Sequence, residues 1–281
     1  MAEKFLNING ELKPYGEANI DINNRAFRYG DGLFETIKII DGKPVALEAH
    51  LDRLFKGMDV LYLNKPTDYS FNGFTHRIKE LLEANDIQFG GRLRLSVFRA
   101  NGGYYTPQSF EPVYTMEADR DDTNGYLLND TGLTIDLYPD MKKPVTKLST
   151  FKTANGLINI MAALYAKDKG WDDALLQNDK LGIIESSSSN LFIVSNGVLY
   201  TPGLEAGCVG GTMRMQLINL AVEHKIQVYE SNITPQNLLV ADELFLTNAI
   251  SGIRWVSCYK TKRYFNSMST KLIGLLNDSV N

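Results

Sequence analysis

Residues Leu181–Asn190 read LGIIESSSSN, and this segment places one carboxylate between two predicted strands. The apolar run ends at Glu185, four serines follow it, and a further strand is predicted over Leu191–Val194. The Glu185 carboxylate has two interpretations. It caps the turn that follows, or it lies against a protonated ring nitrogen while the serines and backbone amides order the loop. The segment alone leaves both interpretations open.

Short strands and amphipathic helices flank this segment on both sides. Strands are predicted over Arg92–Arg99, Ala174–Gln177, Val198–Tyr200, Ile226–Tyr229 and Glu243–Thr247. Helices are predicted over Glu48–Leu63, Met213–His224 and Ser267–Asn277. Runs of short strands with segregated helices predict an α+β fold rather than a regular βαβ arrangement.

The length and one polar stretch predict two domains. A chain of 281 residues is long enough for about two domains. The most polar stretch is Glu117–Gly125, and it lacks the frame of a calcium-binding loop. We therefore predict a small N-terminal domain over residues 1–118, a linker over 119–125 and a larger C-terminal domain over 126–281.

Charge and hydropathy exclude several classes of partner. The 29 basic and 33 acidic residues give a net charge of −4, which argues against nucleic acid or an anionic membrane as a partner. No uncharged apolar run approaches the roughly 18 residues that span a bilayer. The first residues also lack the apolar core of a secretory signal. These features predict a cytoplasmic protein.

The cysteines and histidines predict neither a disulfide framework nor a metal site. Cys208 and Cys258 are the two cysteines, and they match no metal-ligand spacing. His50, His76 and His224 are scattered along the chain and match no zinc signature.

Lys152 is the most informative lysine in the sequence. It stands between an extended segment, Val145–Phe151, and a helical stretch after Asn155. A partly desolvated lysine at such a junction can form a Schiff base, whereas a solvated one has no chemical role. Spacing alone does not separate Lys152 from its neighbours Lys142, Lys143 and Lys147.

Two further patterns can bind anions. Gly210–Arg214 opens a predicted helix, where glycines let backbone amides converge on an anion. Arg53 is either a surface residue or a fork for a phosphate group. Arg92 and Arg94 lie two apart on a predicted strand, so they share one face, which meets either solvent or a substrate carboxylate.

Six segments, taken in order, resemble the class IV, fold type IV pyridoxal-phosphate enzymes. That family includes branched-chain and D-amino acid aminotransferases and aminodeoxychorismate lyase. The segments are RAFRYGDGLFET (25–36), HLDRL (50–54), KTAN (152–155), ESSSSN (185–190), GTMR (211–214) and DELFLTNA (242–249). The resemblance implies a small N-terminal α/β domain and a larger C-terminal domain with a β-barrel-like core. It also implies a homodimer.

The resemblance assigns a role to each candidate residue. It implies pyridoxal 5'-phosphate as the cofactor, bound covalently by Lys152, which also moves the proton, while Glu185 pairs with the pyridine nitrogen. The implied phosphate-binding residues are Arg53, Gly211, Thr212, Met213 and Ala249. The implied substrate-binding residues are Tyr29, Phe34, Arg94, Tyr104 and Ile250.

The choice among family members rests on pocket residues that conflict. Tyr29 and Arg94 match branched-chain aminotransferases, and Tyr104 and Thr106 stand where D-amino acid enzymes carry an arginine and a histidine for a carboxylate. Gly211–Arg214 and Asn248–Ile250 resemble the lyase, but the loop sequence Gly-Gly-Tyr-Tyr lacks the arginine usual there. We predict an aminotransferase for small or branched-chain amino acids and 2-oxo acids, with a lyase forming 4-aminobenzoate and pyruvate as the alternative. The amino donor and its stereochemistry stay open.

Overall fold

A computed structural model describes residues 3–280, and the chain folds into two units. The first unit contains the described residues up to Gly125 together with Phe151–Asn155. The second unit contains Tyr126–Thr150 and the described residues from Gly156 onward. The segment around Lys152 is therefore inserted into the first unit from within the sequence of the second.

The first unit is built on an antiparallel sheet with the strand order β2-β1-β6-β5-β3-β4. Its strands are β1 (Phe5–Ile8), β2 (Glu11–Pro14), β3 (Gly32–Ile40), β4 (Lys43–Pro44), β5 (Gly91–Arg99) and β6 (Pro112–Arg120). Its helices are α1 (Arg25–Tyr29), α2 (Leu47–Val60) and α3 (Phe71–Ala84).

The alternation of β5 positions one polar face of this sheet. Leu93, Leu95 and Val97 are buried in a core with apolar residues of α2 and α3. Because successive strand side chains point to opposite faces, Arg92 and Arg94 lie on the other face, as the sequence predicts.

The polar run predicted as a linker takes part in the first unit. Asp119 and Arg120 end β6, and the Asp121 carboxylate accepts a hydrogen bond from the buried Lys38 ammonium at 2.7 Å. Burial raises the pKa of Asp121, but the Lys38 and Thr123 hydrogen bonds lower it to about 2. The high density of charge therefore marks paired residues at the end of an interior strand.

The second unit contains a mixed sheet of nine strands among the described residues. The strands are β7 (Leu133–Leu137), β8 (Asp173–Gln177), β9 (Ile183–Ser186), β10 (Asn190–Ser195), β11 (Val198–Thr201), β12 (Val228–Glu230), β13 (Glu243–Asn248), β14 (Gly252–Tyr259) and β15 (Lys262–Arg263). The helices are α4 (Leu157–Lys169), α5 (Thr212–Glu223), α6 (Pro235–Val240) and α7 (Ser267–Val280).

Six of these strands close into a barrel-like sheet. The order β10-β13-β14-β7-β8-β9 returns to β10 through the register pair Asn190 and Glu185. Leu191, Leu244 and Leu246 belong to the apolar cluster of this sheet. The expected α+β fold, with a larger C-terminal unit built on a barrel-like core, is confirmed.

The helices of the second unit cover the outside of the sheet. β8 is buried along its whole length, and Ala174 and Leu176 pack in one cluster with Ala162 and Ala166 of α4. Within residues 3–280, no helix combines the length and the apolar character that crossing a bilayer requires.

Candidate active site

Lys152 lies on a short extended segment that runs beside the start of β3. The Phe34 amide donates to the Lys152 carbonyl and the Ala154 amide donates to the Gly32 carbonyl, both at 2.9 Å. Leu33 and Thr153 form an antiparallel bridge between these two bonds. Backbone pairing therefore fixes the lysine against β3 although 118 positions separate it from Phe34 in the sequence.

The Phe34 ring brings two predicted site residues together. The Lys152 Nζ lies 4.7 Å from the ring centroid, and the Arg94 Cζ lies 4.1 Å from it. Cations are attracted to the face of an aromatic ring at such distances. Burial lowers the pKa of Arg94, the Glu117 charge opposes this, and the Arg92 charge adds to it. A nucleophile candidate and a carboxylate-binding candidate thus share one ring.

Glu35 of β3 forms a cluster with His50 and Arg53 of α2, in which Glu35 and His50 are buried and Arg53 is 10% exposed. The Arg53 Nε donates to Glu35 Oε1 at 2.8 Å, and Arg53 Nη2 pairs with Oε2. The His50 Nδ1 lies 2.7 Å from Glu35 Oε2. Sequence reasoning missed Glu35 and His50, although His50 and Arg53 have the helical i, i+3 spacing that places both on one face.

The charges of this cluster determine its protonation. Burial raises the pKa of Glu35, but the Arg53 charge and the hydrogen bonds from His50 and Arg53 lower it more. Burial lowers the pKa of His50, the Glu35 hydrogen bond and charge raise it, and the Arg53 and Lys152 charges lower it further. Glu35 is therefore a carboxylate and His50 a neutral ring that donates through Nδ1.

In the second unit, Glu185 is buried at the closure of the barrel. Its Oε1 accepts from the Lys143 ammonium at 2.5 Å, and its Oε2 accepts from the Val209 amide at 2.8 Å. Lys143, a rival of Lys152 by spacing, is thus the ion-pair partner of Glu185. Lys142, another rival, donates to Gln177 Oε1 at 2.9 Å.

The serine turn after Glu185 is ordered by a different carboxylate. The Ser186 hydroxyl donates to Asp173 Oδ2 at 2.7 Å, and the Ser187 amide donates to Asp173 Oδ1 at 3.2 Å. The Ser189 amide in turn donates to Ser186 Oγ at 3.1 Å. Glu185 therefore does not cap the serine turn, because Asp173 and Ser186 accept the hydrogen bonds of that turn.

The beginning of α5 is shaped to receive an anion. Gly211 is the N-cap, and the amide of Met215 makes a bond back to its carbonyl at 3.0 Å. A Cβ at Gly211 would lie 1.9 Å from Asn190 Oδ1, so a larger residue at this position would have to displace the Asn190 side chain. The first amides of a helix, such as that of Met213, have no carbonyl acceptor within the helix, and the helix dipole favours negative charge beside them.

Thr247 supplies an independent indication of a ligand next to this helix end. Its Oγ1 is buried and has no hydrogen-bond partner among the described residues. Thr247 is the register partner of Asn190, the residue that packs against Gly211. A buried hydroxyl without a partner costs free energy, which a phosphate oxygen bound here would recover. The residues present therefore fit a phosphate group.

The turn after β13 carries the other two predicted residues of the second unit. The Asn248 Oδ1 accepts from the amides of Ile250 and Ser251 at 3.0 and 2.8 Å, and Asn248 Nδ2 donates to Ser189 Oγ at 3.0 Å. The Ala249 carbonyl accepts from the Tyr126 hydroxyl at 3.2 Å. Asn248 thus connects the turn that holds Ala249 and Ile250 to the serine turn.

Cys208 precedes Val209, whose amide donates to Glu185, and its thiol has low reactivity. Burial raises the pKa of its thiol to about 12, despite the opposing charge of Arg214. A thiol of that pKa is protonated at neutral pH and is a poor nucleophile. Residues 3–280 contain no cluster of three or more histidine, cysteine or acidic side chains that could hold a metal ion.

Comparison with known proteins identifies the family. Residues 32–259 match the family model described as amino-transferase class IV. The chain is 30% identical over 249 residues to a "Putative branched-chain-amino-acid aminotransferase" of Methanocaldococcus jannaschii, covering 88% of this chain and 84% of the relative. It is 28% identical over 254 residues to the D-alanine aminotransferase of Bacillus licheniformis, with coverage of 88% and 85%.

A solved structure shares the whole architecture. A Legionella pneumophila protein described as "Putative 4-amino-4-deoxychorismate lyase" superposes with a TM-score of 0.84 at 26% identity, covering 94% of this chain and 96% of that one. The chain belongs to the class IV aminotransferase family and has its fold type IV architecture. It is therefore an enzyme of the pyridoxal-phosphate-dependent kind.

Proposed function

We propose that the protein is an aminotransferase that moves an amino group between a small or branched-chain amino acid and a 2-oxo acid. The observation that carries the proposal is the shared ring of Phe34, with the Lys152 ammonium 4.7 Å and the Arg94 guanidinium 4.1 Å from its centroid. Lys152 supplies the amine that covalent catalysis needs, and Arg94 supplies a cation for the substrate carboxylate.

The remaining residues have roles in holding the cofactor. In the first unit, Arg53, oriented by Glu35, is the candidate for binding a phosphate group. In the second unit, the candidates are the first amides of α5, the Thr247 hydroxyl and the backbone of Ala249. Glu185 would accept a hydrogen bond from the ring nitrogen. When bound, pyridoxal 5'-phosphate supplies an electron sink for the negative charge that develops on the substrate Cα.

Lys152 carries the proton in this proposal. Its amine, when neutral, would take the proton from the substrate Cα and hold it as an ammonium. The Arg94 guanidinium and the Phe34 ring orient the substrate, with Tyr29, Tyr104 and Ile250 as further lining residues. Relatives named for branched-chain and D-alanine transamination support this reaction class.

A lyase that forms 4-aminobenzoate and pyruvate is the second candidate. Two observations favour it: the segments Gly211–Arg214 and Asn248–Ile250, and the similarity to the L. pneumophila protein. Both reactions begin with removal of the same Cα proton and differ in what leaves afterwards. A substrate panel therefore separates them.

The test uses the purified protein loaded with pyridoxal 5'-phosphate. It is incubated with L-leucine, L-valine or D-alanine plus 2-oxoglutarate, and separately with aminodeoxychorismate. We expect the 2-oxo acid of at least one amino acid and no 4-aminobenzoate. The formation of 4-aminobenzoate without any 2-oxo acid would overturn the aminotransferase proposal in favour of the lyase.

Lys152→Ala is the direct test of the assigned amine. We expect turnover to fall by at least about 10³-fold, because both the covalent attachment and the proton carrier are lost. Borohydride reduction and peptide mapping should label Lys152 in the parent protein, and Lys147→Ala should keep both label and turnover. Multiple turnovers by Lys152→Ala, or a label on another lysine, would remove the assignment.

We further propose that the protein works as a homodimer in the cytoplasm. Sedimentation velocity tests the first point, and a purely monomeric active enzyme would contradict it. Fractionation of cells tests the second.

A further inference from the structure

A partly buried carboxylate just before β3, that of Asp31, holds two arginines. The Asp31 Oδ2 accepts from Arg25 Nε at 2.8 Å and from Arg99 Nε at 2.9 Å. Burial raises the pKa of Asp31, but the hydrogen bonds and charges of Arg99 and Arg25 lower it more. Arg25, at 4% exposure, is therefore held as an ion inside the first unit.

The free end of the Arg25 guanidinium binds a loop backbone. Its Nη1 donates to the carbonyl oxygens of Gly102 at 3.0 Å, Gly103 at 3.3 Å and Tyr104 at 2.6 Å. Hydrogen bonds from a charged donor are about twice as strong as neutral ones. Three successive carbonyls converge on one nitrogen, so the loop backbone curls around the guanidinium.

Glycine makes this curl possible. Gly102 and Gly103 have φ values of +115° and +75°, which residues with a Cβ rarely adopt. A Cβ at Gly103 would lie 2.3 Å from the Thr106 carbonyl oxygen. The sequence and the arginine thus specify one backbone path for the loop tip.

The tip presents two tyrosines whose side chains are open to solvent. Tyr104 and Tyr105 are 81% and 91% exposed. The Tyr105 ring lies 5.7 Å from the Tyr29 ring, which itself packs 4.9 Å from the Arg25 guanidinium. Exposed loop tips are usually mobile, yet here the backbone beneath the exposed rings is bound by a buried ion.

We infer that Arg25 is a positioning residue for the loop 100–108: it fixes the backbone of Gly102–Tyr104 and thereby sets where Tyr104 and Tyr105 stand. Asp31 holds Arg25 in turn, and Arg99 connects Asp31 to β5. The inference rests on the proposed function only for the role of Tyr104 in substrate binding. The ordering of the loop stands by itself.

Proteolysis measures that ordering without any activity assay. Chymotrypsin cleaves after aromatic residues but needs several residues of extended, mobile backbone, so exposed rings on a fixed backbone resist it. In the full-length, cofactor-loaded protein, we expect Arg25→Gln to be cleaved at Tyr104 or Tyr105 at least about tenfold faster than the parent. Arg28→Gln is the matched control, because Arg28 lies on the same helix and, among residues 3–280, its side chain donates to the exposed Ile22 carbonyl rather than to the loop.

Equal cleavage rates for Arg25→Gln and the parent would overturn the inference. Arg25→Lys covers the case in which Arg25→Gln does not fold. Its single ammonium can pair with Asp31 but cannot also bridge three carbonyls, so we expect a cleavage rate between those of the parent and Arg25→Gln. A folded Arg25→Lys protein as resistant as the parent would also overturn the inference.

Kinetics then separate positioning from a general structural role. We expect Arg25→Lys to raise the KM for the amino acid about fivefold and to keep kcat within twofold of the parent value. The reason is that the loop 100–108 is displaced while Lys152 keeps its position. A lower kcat with unchanged KM would indicate lost active protein and would contradict the inference. If the parent transaminates nothing, the proposed function fails, and the chymotrypsin comparison still decides the role of Arg25.

Discussion

Two buried carboxylates, Glu35 in the first unit and Glu185 in the second, are neutralised in different ways. Glu35 is 1% exposed and receives the fork of Arg53 and the ring of His50, so both its oxygens are engaged by side chains. Glu185 is 3% exposed and receives one ammonium, from Lys143, and one backbone amide.

The difference separates a framework residue from a binding residue. A guanidinium is always charged and holds a carboxylate by two parallel bonds, so Glu35 and Arg53 form a fixed unit. An ammonium on a flexible stem makes one replaceable contact, so Glu185 can accept a second cation such as a protonated ring nitrogen. We therefore expect Glu35 to contribute mainly to stability and Glu185 mainly to turnover.

Glu35→Gln should have the largest effect on folding. It leaves the Arg53 guanidinium buried without its counter-ion, and breaking a buried ion pair costs about 3–5 kcal/mol. Urea unfolding measures this loss. The control Glu83→Gln removes an exposed partner of Lys79 and should change the unfolding free energy by less than about 0.5 kcal/mol. A loss below about 1 kcal/mol in Glu35→Gln would mean that the two carboxylates are equivalent.

Glu185→Gln should slow turnover while keeping the fold, in contrast to Glu35→Gln. Loss of a charge opposite the ring nitrogen should slow removal of the Cα proton by about 10²-fold, while the unfolding free energy changes far less than in Glu35→Gln. A Cα-deuterated amino acid should then show a larger isotope effect than with the parent enzyme. An unchanged rate would remove the ring-nitrogen role from Glu185.

Lys143→Met tests the replaceable cation. Because the ion pair with Glu185 is mostly buried, we expect a loss of about 1.5 kcal/mol in unfolding free energy. Lys142→Met is the matched control, since within the described part of the chain that neighbour donates to the neutral Gln177 side chain and not to a carboxylate. Equal losses of unfolding free energy in the two variants would show that Lys143 does not stabilise the Glu185 carboxylate.

The smallest predicted effect is a pH dependence from His50. The pKa of His50 is lowered in the folded protein, so the unfolded chain takes up a proton as the pH falls below 6.5 while the folded protein does not. Stability therefore declines as the pH decreases through this range, by at most about 1.4 kcal/mol per unit.

His50→Gln should remove this slope, because glutamine can still donate to Glu35 but does not titrate. Between pH 6.5 and 5.5 we expect the parent to lose more unfolding free energy than the variant in urea, by up to about 1 kcal/mol. Parallel stability curves for the two proteins would show that His50 does not stay neutral in the fold.

Local pattern predicted the elements well, and the ordered family segments predicted the architecture. The alternation of Arg92–Arg99 predicted β5 and its polar face, and the helical spacing of Met213–His224 predicted α5 within one residue at each end. The α+β fold and the class IV family are confirmed. These features depend on side-chain periodicity and on short motifs, which a single sequence displays directly.

Contacts between distant segments could not be predicted in the same way. The pairing of β14 with β7, the engagement of Lys143 with Glu185 and the ordering of the serine turn by Asp173 join residues that no periodicity connects. The polar composition of residues 119–125 led to the prediction of a linker. Composition alone does not distinguish solvated residues from residues that form ion pairs and hydrogen bonds. Which lysine faces Phe34 likewise depends on the bridge between Leu33 and Thr153.

The parallel pairing of β7 with β14 has a consequence for synthesis on the ribosome. The sheet of the first unit and its Lys152 segment are complete once residue 155 has emerged, whereas β7 meets its partner only when Tyr259 is available. At cellular elongation speeds that interval lasts on the order of ten seconds. Throughout it, β7 has an uncovered edge that can template pairing with another nascent chain, so ribosomal pausing within the codons of β14 should raise aggregation of this protein.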